Sequence, residues 1–273
     1  MSLQPRAPRP RPAAARARTW AAALHPRVWS PTLVALAVAA AVWSWVARRS
    51  PYVLPAPGSV VEQLAGDPGL YLVNAWATLS EALLGLAAGA AAAFAVAVAV
   101  SESVLLRRAV MPLAVVLNVT PVVAIAPALV VAFGFGILPK VVVAALTTFF
   151  PVLMNTATGL RSVPREVLQV FRTVHASRWD VLVRLRFPSA LPFVFAALRV
   201  VFPLSLVGAI VAEFSAAGAT AGLGTIIKVA AANSQLDRVF ASIGCLALMG
   251  ALLLLVVTTV ERRVLSWHSS QAR

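Results

Sequence analysis

Residues 110–158 read VMPLAVVLNVTPVVAIAPALVVAFGFGILPKVVVAALTTFFPVLMNTAT. A run that is apolar on every side has no face to offer water, and lipid is its natural solvent. It is too long for one crossing of about 20 residues. Gly134-Phe135-Gly136 followed by Pro139 supplies a turn, so the run divides into a span over Val110–Ala132 and another over Leu138–Thr158. Pro112, Pro121 and Pro127 each delete a backbone hydrogen bond that lipid cannot replace. The first of the two spans is therefore expected as a single kinked helix shielded by its neighbours.

Working outward, four more apolar segments appear: Thr32–Ala47, Ala75–Val100, Pro192–Phe214 and Phe240–Val260. Trp43 and Trp45 suit the membrane interface, where amphipathic rings are favoured. Gly85 and Gly89 form a small-xxx-small pair that lets helix backbones approach closely, which predicts a helix inside a bundle. The expected fold is all-α, a polytopic membrane protein with six transmembrane helices and a cytoplasmic helical coupling loop. A disordered basic cytoplasmic tail is expected over residues 1–30, a transmembrane domain over 31–265 with its loop at 159–192, and a second cytoplasmic tail over 266–273.

Of 273 residues, 60% are hydrophobic and only 12% charged, and the mean hydropathy is +0.88. No stretch outside the apolar blocks is long enough to bury a core of its own. The net charge of +14 comes from 23 Lys and Arg against nine Asp and Glu. Those cations sit in tails and loops with no interleaved aromatic platforms, which argues for charge-directed topology and against nucleic-acid binding. With the N-terminus inside, seventeen basic residues fall on the cytoplasmic side and five on the other, with Arg199 inside a span. Both termini are then cytoplasmic, in a multi-pass protein of the cell membrane.

Catalysis finds little support. Cys245 is alone, and His25, His175 and His268 stand at no metal-ligand spacing, so no metal, cofactor or catalytic centre is expected. No Walker motif occurs, so any ATP hydrolysis falls to another subunit. Gly222-Leu223-Gly224 follows no strand and reads as a turn into a short re-entrant or surface helix rather than a phosphate cradle. Glu81 and Glu213 are the acidic residues expected at or near membrane depth, and both are candidates for a translocation pathway.

The loop at 159–192 reads as two short helices. Pro164 suits a first turn, and Val167, Val170, Phe171 and Val174 recur at helical spacing. His175-Ala176 marks a break, Ser177 to Asp180 forms a capping box, and Pro188 is expected to end the second helix. An apolar face with a cationic back suits docking on a partner or lying on anionic headgroups.

This loop resembles the E-A-A-x-x-x-G loop of ABC importer permeases, whose Glu, Ala, Ala and Gly fall on Gln169, Val170, Phe171 and His175. The resemblance extends through Val53 to Pro57, Phe133 to Gly136 with Pro139-Lys140, Phe149-Phe150-Pro151 with Asn155, Glu213, Gly222 to Gly224, and Glu261-Arg262-Arg263. It points to the nitrate, sulfonate and taurine importer group, which includes permeases for thiamine-precursor pyrimidines and riboflavin. The run from Phe133 to Lys140, together with Glu81, looks closer to the latter branch.

The resemblance implies a homodimer, a separate ATP-binding subunit on the cytoplasmic side, an extracytoplasmic solute-binding protein and a surrounding of membrane lipid. It assigns coupling to Glu166, Gln169, Val170, Phe171, His175, Ala176, Ser177 and Asp180. Of the departures, Phe171 demands a differently shaped pocket, and His175 incurs a modest penalty where the family's glycine turns left-handed at no cost. They imply either a co-adapted ATPase or weakened coupling. A secondary transporter or channel working alone is the rival reading, and two glutamates are a thin supply of ion-coupling groups for it.

Overall fold

In the computed structural model, residues 26–215 and 221–266 are described, and among them every regular element is a helix. Of the tails expected at 1–30 and 266–273, residues 1–25 and 267–273 lie outside the described residues. The chain divides into two compact units, Met1–Ser59 and Val60–Arg273. In the first, α1 spans Pro26–Arg49, so helix begins inside the expected N-terminal tail. A proline in the first turn costs no hydrogen bond, which is why Pro26 can open it. Trp43 Nε1 donates to the carbonyl of Pro55 at 2.9 Å, and the Arg49 guanidinium lies 5.4 Å from the Trp45 ring centroid. Helix α2 (Pro57–Gly66) follows.

The second unit is built on α3 (Pro68–Glu102), α6 (Ile137–Leu160) and α9 (Phe187–Ser215), with α6 packed extensively against both others. Asp67 accepts from the Leu70 amide at 3.0 Å and caps α3, with Pro68 at its first position. Gly85 and Gly89 lie against α6 as their spacing predicts. A Cβ at Gly85 would stand 2.8 Å from the carbonyl oxygen of Val141 and collide with Ala144, and one at Gly89 would collide with Thr148. Helix α11 (Leu236–Val264) completes the set of long helices.

Five helices are long and apolar enough to cross a membrane, and a sixth crossing exists if one bent pair is counted together. That pair is the predicted kinked span, and it is broken rather than kinked. Helix α4 (Val104–Val119) and α5 (Val122–Phe133) meet at 94°. Pro112 and Pro127 are accommodated inside α4 and α5. The break falls at Thr120-Pro121, where both residues are extended: a residue before proline is pushed out of the helical region, and two extended residues end a helix.

A second correction concerns Pro188, which ends no helix. Helix α7 spans Arg165–Thr173 and α8 Arg178–Val181; a π-helical turn over Leu182–Arg186 then runs directly into α9. The Phe187 amide bonds the Leu182 carbonyl five residues back, and this wider turn accommodates the missing N–H of Pro188. Residues Arg178–Ser215 thus make one helical rod of 38 residues. At 1.5 Å per residue it is about 57 Å long against a hydrocarbon core of about 30 Å, so one end stands clear of the lipid.

Substituting Gly85→Val is expected to cost about 1–3 kcal/mol by forcing α3 from α6. Gly244→Ala, where an added Cβ meets nothing within 4 Å, should be neutral or better. Thermal unfolding of both variants in detergent checks this, and equal midpoints would contradict the close approach.

Candidate functional site

Two constellations occupy opposite ends of the long helices. The first surrounds the start of α10 (Leu223–Ala232), a short apolar helix that comes after α9 in the chain. A helix start leaves its first amides without intrahelical partners, and hydrocarbon provides none. Here every one of the four comes from a named donor and meets a side chain. Gly222 N–H donates to Asn74 Oδ1 at 2.7 Å, and Leu223 N–H donates to Thr78 Oγ1 at 2.9 Å. Gly224 and Thr225 N–H donate to Glu213 Oε2 at 2.5 and 3.3 Å. The Thr78 hydroxyl in turn donates to Glu213 Oε1 at 2.7 Å.

Glu213 is fully buried. It accepts from three donors, two of them backbone amides at the start of a helix. Gly222 has φ 133, and any Cβ there would strike the Glu213 carboxylate; only glycine meets both demands.

Beside it, Lys140 Nζ donates to Glu81 Oε1 at 2.6 Å, with about 6% of each side chain exposed. The same ammonium reaches the Ala221 carbonyl at 3.3 Å. Lys140, one of the five basic residues counted on the side opposite the cytoplasm, is therefore a buried residue of α6 paired with α3. The structure thus brings the two predicted acidic residues into one neighbourhood and immobilises both. Sequence reasoning missed their partners Asn74, Thr78 and Lys140. The signal was available: Asn74, Thr78, Glu81, Gly85 and Gly89 follow one another at three- or four-residue spacing along one face of α3.

A third acidic group, Glu261 on α11, is also nearly buried and pairs with Arg199 at 3.0 Å. It was likewise not anticipated.

The second constellation is the segment from Arg161 to Phe187. Glu166 lies in the first turn of α7, and Pro164 stands just before the helix rather than inside it. None of the residues of α7 is buried: Val170 is 61% exposed and Phe171 half-buried, and Val174 at the C-cap is 70% exposed. Gln169 is exposed as well. The helix ends in a Schellman pair, with Ala176 N–H on the Phe171 carbonyl and His175 N–H on the Arg172 carbonyl, both at 3.0 Å.

His175 has φ 53, the left-handed conformation that glycine adopts freely and other residues at a cost of about 1–2 kcal/mol. Ser177 accepts from the Asp180 amide at 3.1 Å and donates to the Asp180 carboxylate at 2.5 Å. The expected cap is present, although the carboxylate returns its bond to the hydroxyl rather than to a backbone amide. Arg184 pairs with Asp180 at 3.3 Å, and Arg186 pairs with Glu102 at the end of α3.

Two consequences are measurable. Glu213→Ala strands three buried donors, each costing about 1–3 kcal/mol; hydrogen exchange at the Gly224 and Thr225 amides should accelerate while the middle of α6 stays protected. Lys140→Met leaves Glu81 uncompensated and should cost about 3–5 kcal/mol, most of it recovered in Glu81→Gln/Lys140→Met. Additive losses in that double-mutant cycle would dissolve the pair.

Residues 59–266 match the family described as the binding-protein-dependent transport system inner membrane component. The chain is 35% identical over 221 residues to the riboflavin transport system permease protein RibX of Chloroflexus aurantiacus, covering 80% of this chain and 82% of that one. It is 34% identical over 233 residues to the formylaminopyrimidine transport permease protein ThiX of Halalkalibacterium halodurans, covering 84% and 92%. It is also 32% identical over 243 residues to the taurine transport system permease protein TauC of Escherichia coli, covering 85% and 88%. The chain belongs to the binding-protein-dependent transport system inner membrane components, the permease subunits of ABC transporters.

Proposed function

We propose that this permease works in an ATP-driven importer for a small heterocyclic solute of the riboflavin or pyrimidine-precursor type. A separate ATP-binding subunit would supply the energy and an extracytoplasmic binding protein the solute. The relatives of highest identity given above are a riboflavin and a formylaminopyrimidine permease, which supports the substrate class. The excess of basic residues in the tails and in the Arg161–Arg186 segment supports cytoplasmic termini. Two copies of the chain would enclose the pathway between them.

The observation that carries the coupling role is the bare apolar face of α7. Val170 on the helix and Val174 at its C-cap are exposed; a Schellman turn fixes that end, and α8 starts after the turn. That segment joins α9 without a flexible joint. A face of this kind suits a groove in a partner, and a rigid rod transmits the partner's displacement.

In this scheme Gln169, Val170 and Phe171 make the contact. Glu166, His175, Ala176, Ser177 and Asp180 shape the helix pair that presents it. Glu81 and Glu213 act at the far end by fixing α10, which would serve as part of the pathway's gate.

Phe171→Asp and Val170→Asp should each reduce retention of the ATP-binding subunit by more than about tenfold, since a charge would be desolvated against an apolar groove. Pull-down of the tagged chain with its ATPase checks this, and helix content should be unchanged. Undiminished retention, or solute uptake that persists without any ATPase, would replace the scheme with a transporter acting alone.

A further inference from the structure

A cleft of about 260 Å³ opens between the end of α3, the start of α4 and the end of α6. Its two long walls are stripes of matching design. On α4, Arg107, Met111 and Val115 follow at four-residue spacing; on α6, Arg161, Thr158 and Met154 follow at three and four. Because α4 starts where α6 ends, both stripes begin with a guanidinium at the same end and turn apolar further along. Residues at these spacings share a helix face. Thr158 adds no free donor, since its hydroxyl is spent on the Met154 carbonyl at 2.7 Å.

Neither arginine takes part in any of the four ion pairs found among the described residues. Arg161 is the residue that terminates α6 and Arg107 lies in the second turn of α4. Both therefore sit at the ends of membrane helices, where headgroups lie.

We propose that this cleft is a binding site for one anionic phospholipid, its phosphate held by Arg107 and Arg161 and an acyl chain laid along Met111, Val115 and Met154. A guanidinium fork matches phosphate geometry, and cationic pockets at helix ends retain acidic headgroups. The apolar continuation is what separates a lipid from a free anion, which would leave that wall bare. A second copy of the chain seated with this cleft on a two-fold axis would set the same two arginines against each other, whereas an acidic headgroup neutralises them. The inference requires only that the helices cross a membrane, and it stands whichever solute or motor the permease uses.

The test is lipid retention by the full-length chain purified in detergent, read by native mass spectrometry. The protein is offered equal amounts of phosphatidylglycerol and phosphatidylcholine with identical acyl chains. Each arginine near a headgroup contributes roughly fivefold, so a preference of about twenty-fivefold for phosphatidylglycerol is expected.

Arg107→Gln/Arg161→Gln should bring the preference close to parity, whereas Arg107→Lys/Arg161→Lys should keep most of it. Arg108→Gln, altering an exposed neighbour that does not line the cleft, should leave it unchanged. Glycerol phosphate should not displace the bound lipid at equal concentration. Equal retention of the two lipids by the unaltered chain would overturn the proposal, as would full preference in the double glutamine variant or displacement by the free headgroup. Should the glutamine variant fail to fold, the lysine variant and the headgroup competition still decide.

Discussion

In hydrocarbon an amide without a partner has nowhere to turn, and the start of α10 is where this chain meets that constraint most directly. Four successive amides from Gly222 to Thr225 point away from any helix that could accept them. Three side chains from two other helices supply the acceptors, and one is a carboxylate with no exposure at all. Burying an isolated carboxylate is prohibitive. Burying one that closes three hydrogen bonds at the positive end of a helix is not. The arrangement fixes α10 against α3 and α9 at once, and it dictates glycine at 222, where a side chain would displace the carboxylate. Lys140 then offsets the second carboxylate nearby, so a polar cluster persists inside an otherwise apolar bundle.

The same constraint explains how so many prolines survive. Each removes a backbone donor, and the structure answers in three ways. Pro112, Pro127, Pro151, Pro192 and Pro203 are taken into helix interiors. Pro121 ends one helix and begins another at a sharp angle. Pro188 is absorbed by a π-helical turn that shifts the bond from the Phe187 amide to a carbonyl five residues back. Which answer applies depends on whether neighbours hold the flanking helices in line, and local sequence does not record that.

Legibility follows from the range of the interaction. The apolar spans, the Gly85 and Gly89 contact, the Ser177 cap and the strained position at His175 rest on neighbours within a few residues or on plain composition. All four were readable. The break at Pro121 and the continuity through Pro188 were not, because a proline's consequence is set by packing. Glu81 and Glu213 stood out as acidic residues in apolar surroundings, but their side-chain partners Lys140 and Thr78 lie 59 and 135 positions away. One half of that pairing was written on α3, where Asn74, Thr78 and Glu81 share a face. The other half needed the bundle.

The rod from Arg178 to Ser215 ties the two constellations together. One end carries Ser177, Asp180 and the arginine that pairs with Glu102; the other carries Glu213, the carboxylate on which α10 starts. The helical path between them runs unbroken through the π-helical turn and past Pro192 and Pro203, so the helix that continues from the Asp180 cap also carries the acceptor on which α10 starts. The contact there is made of short, directional hydrogen bonds, which weaken steeply once their geometry is lost. A soft apolar contact would yield gradually over a similar displacement. The position of α10 is thus kept by the geometry of four hydrogen bonds to two other helices rather than by apolar area alone.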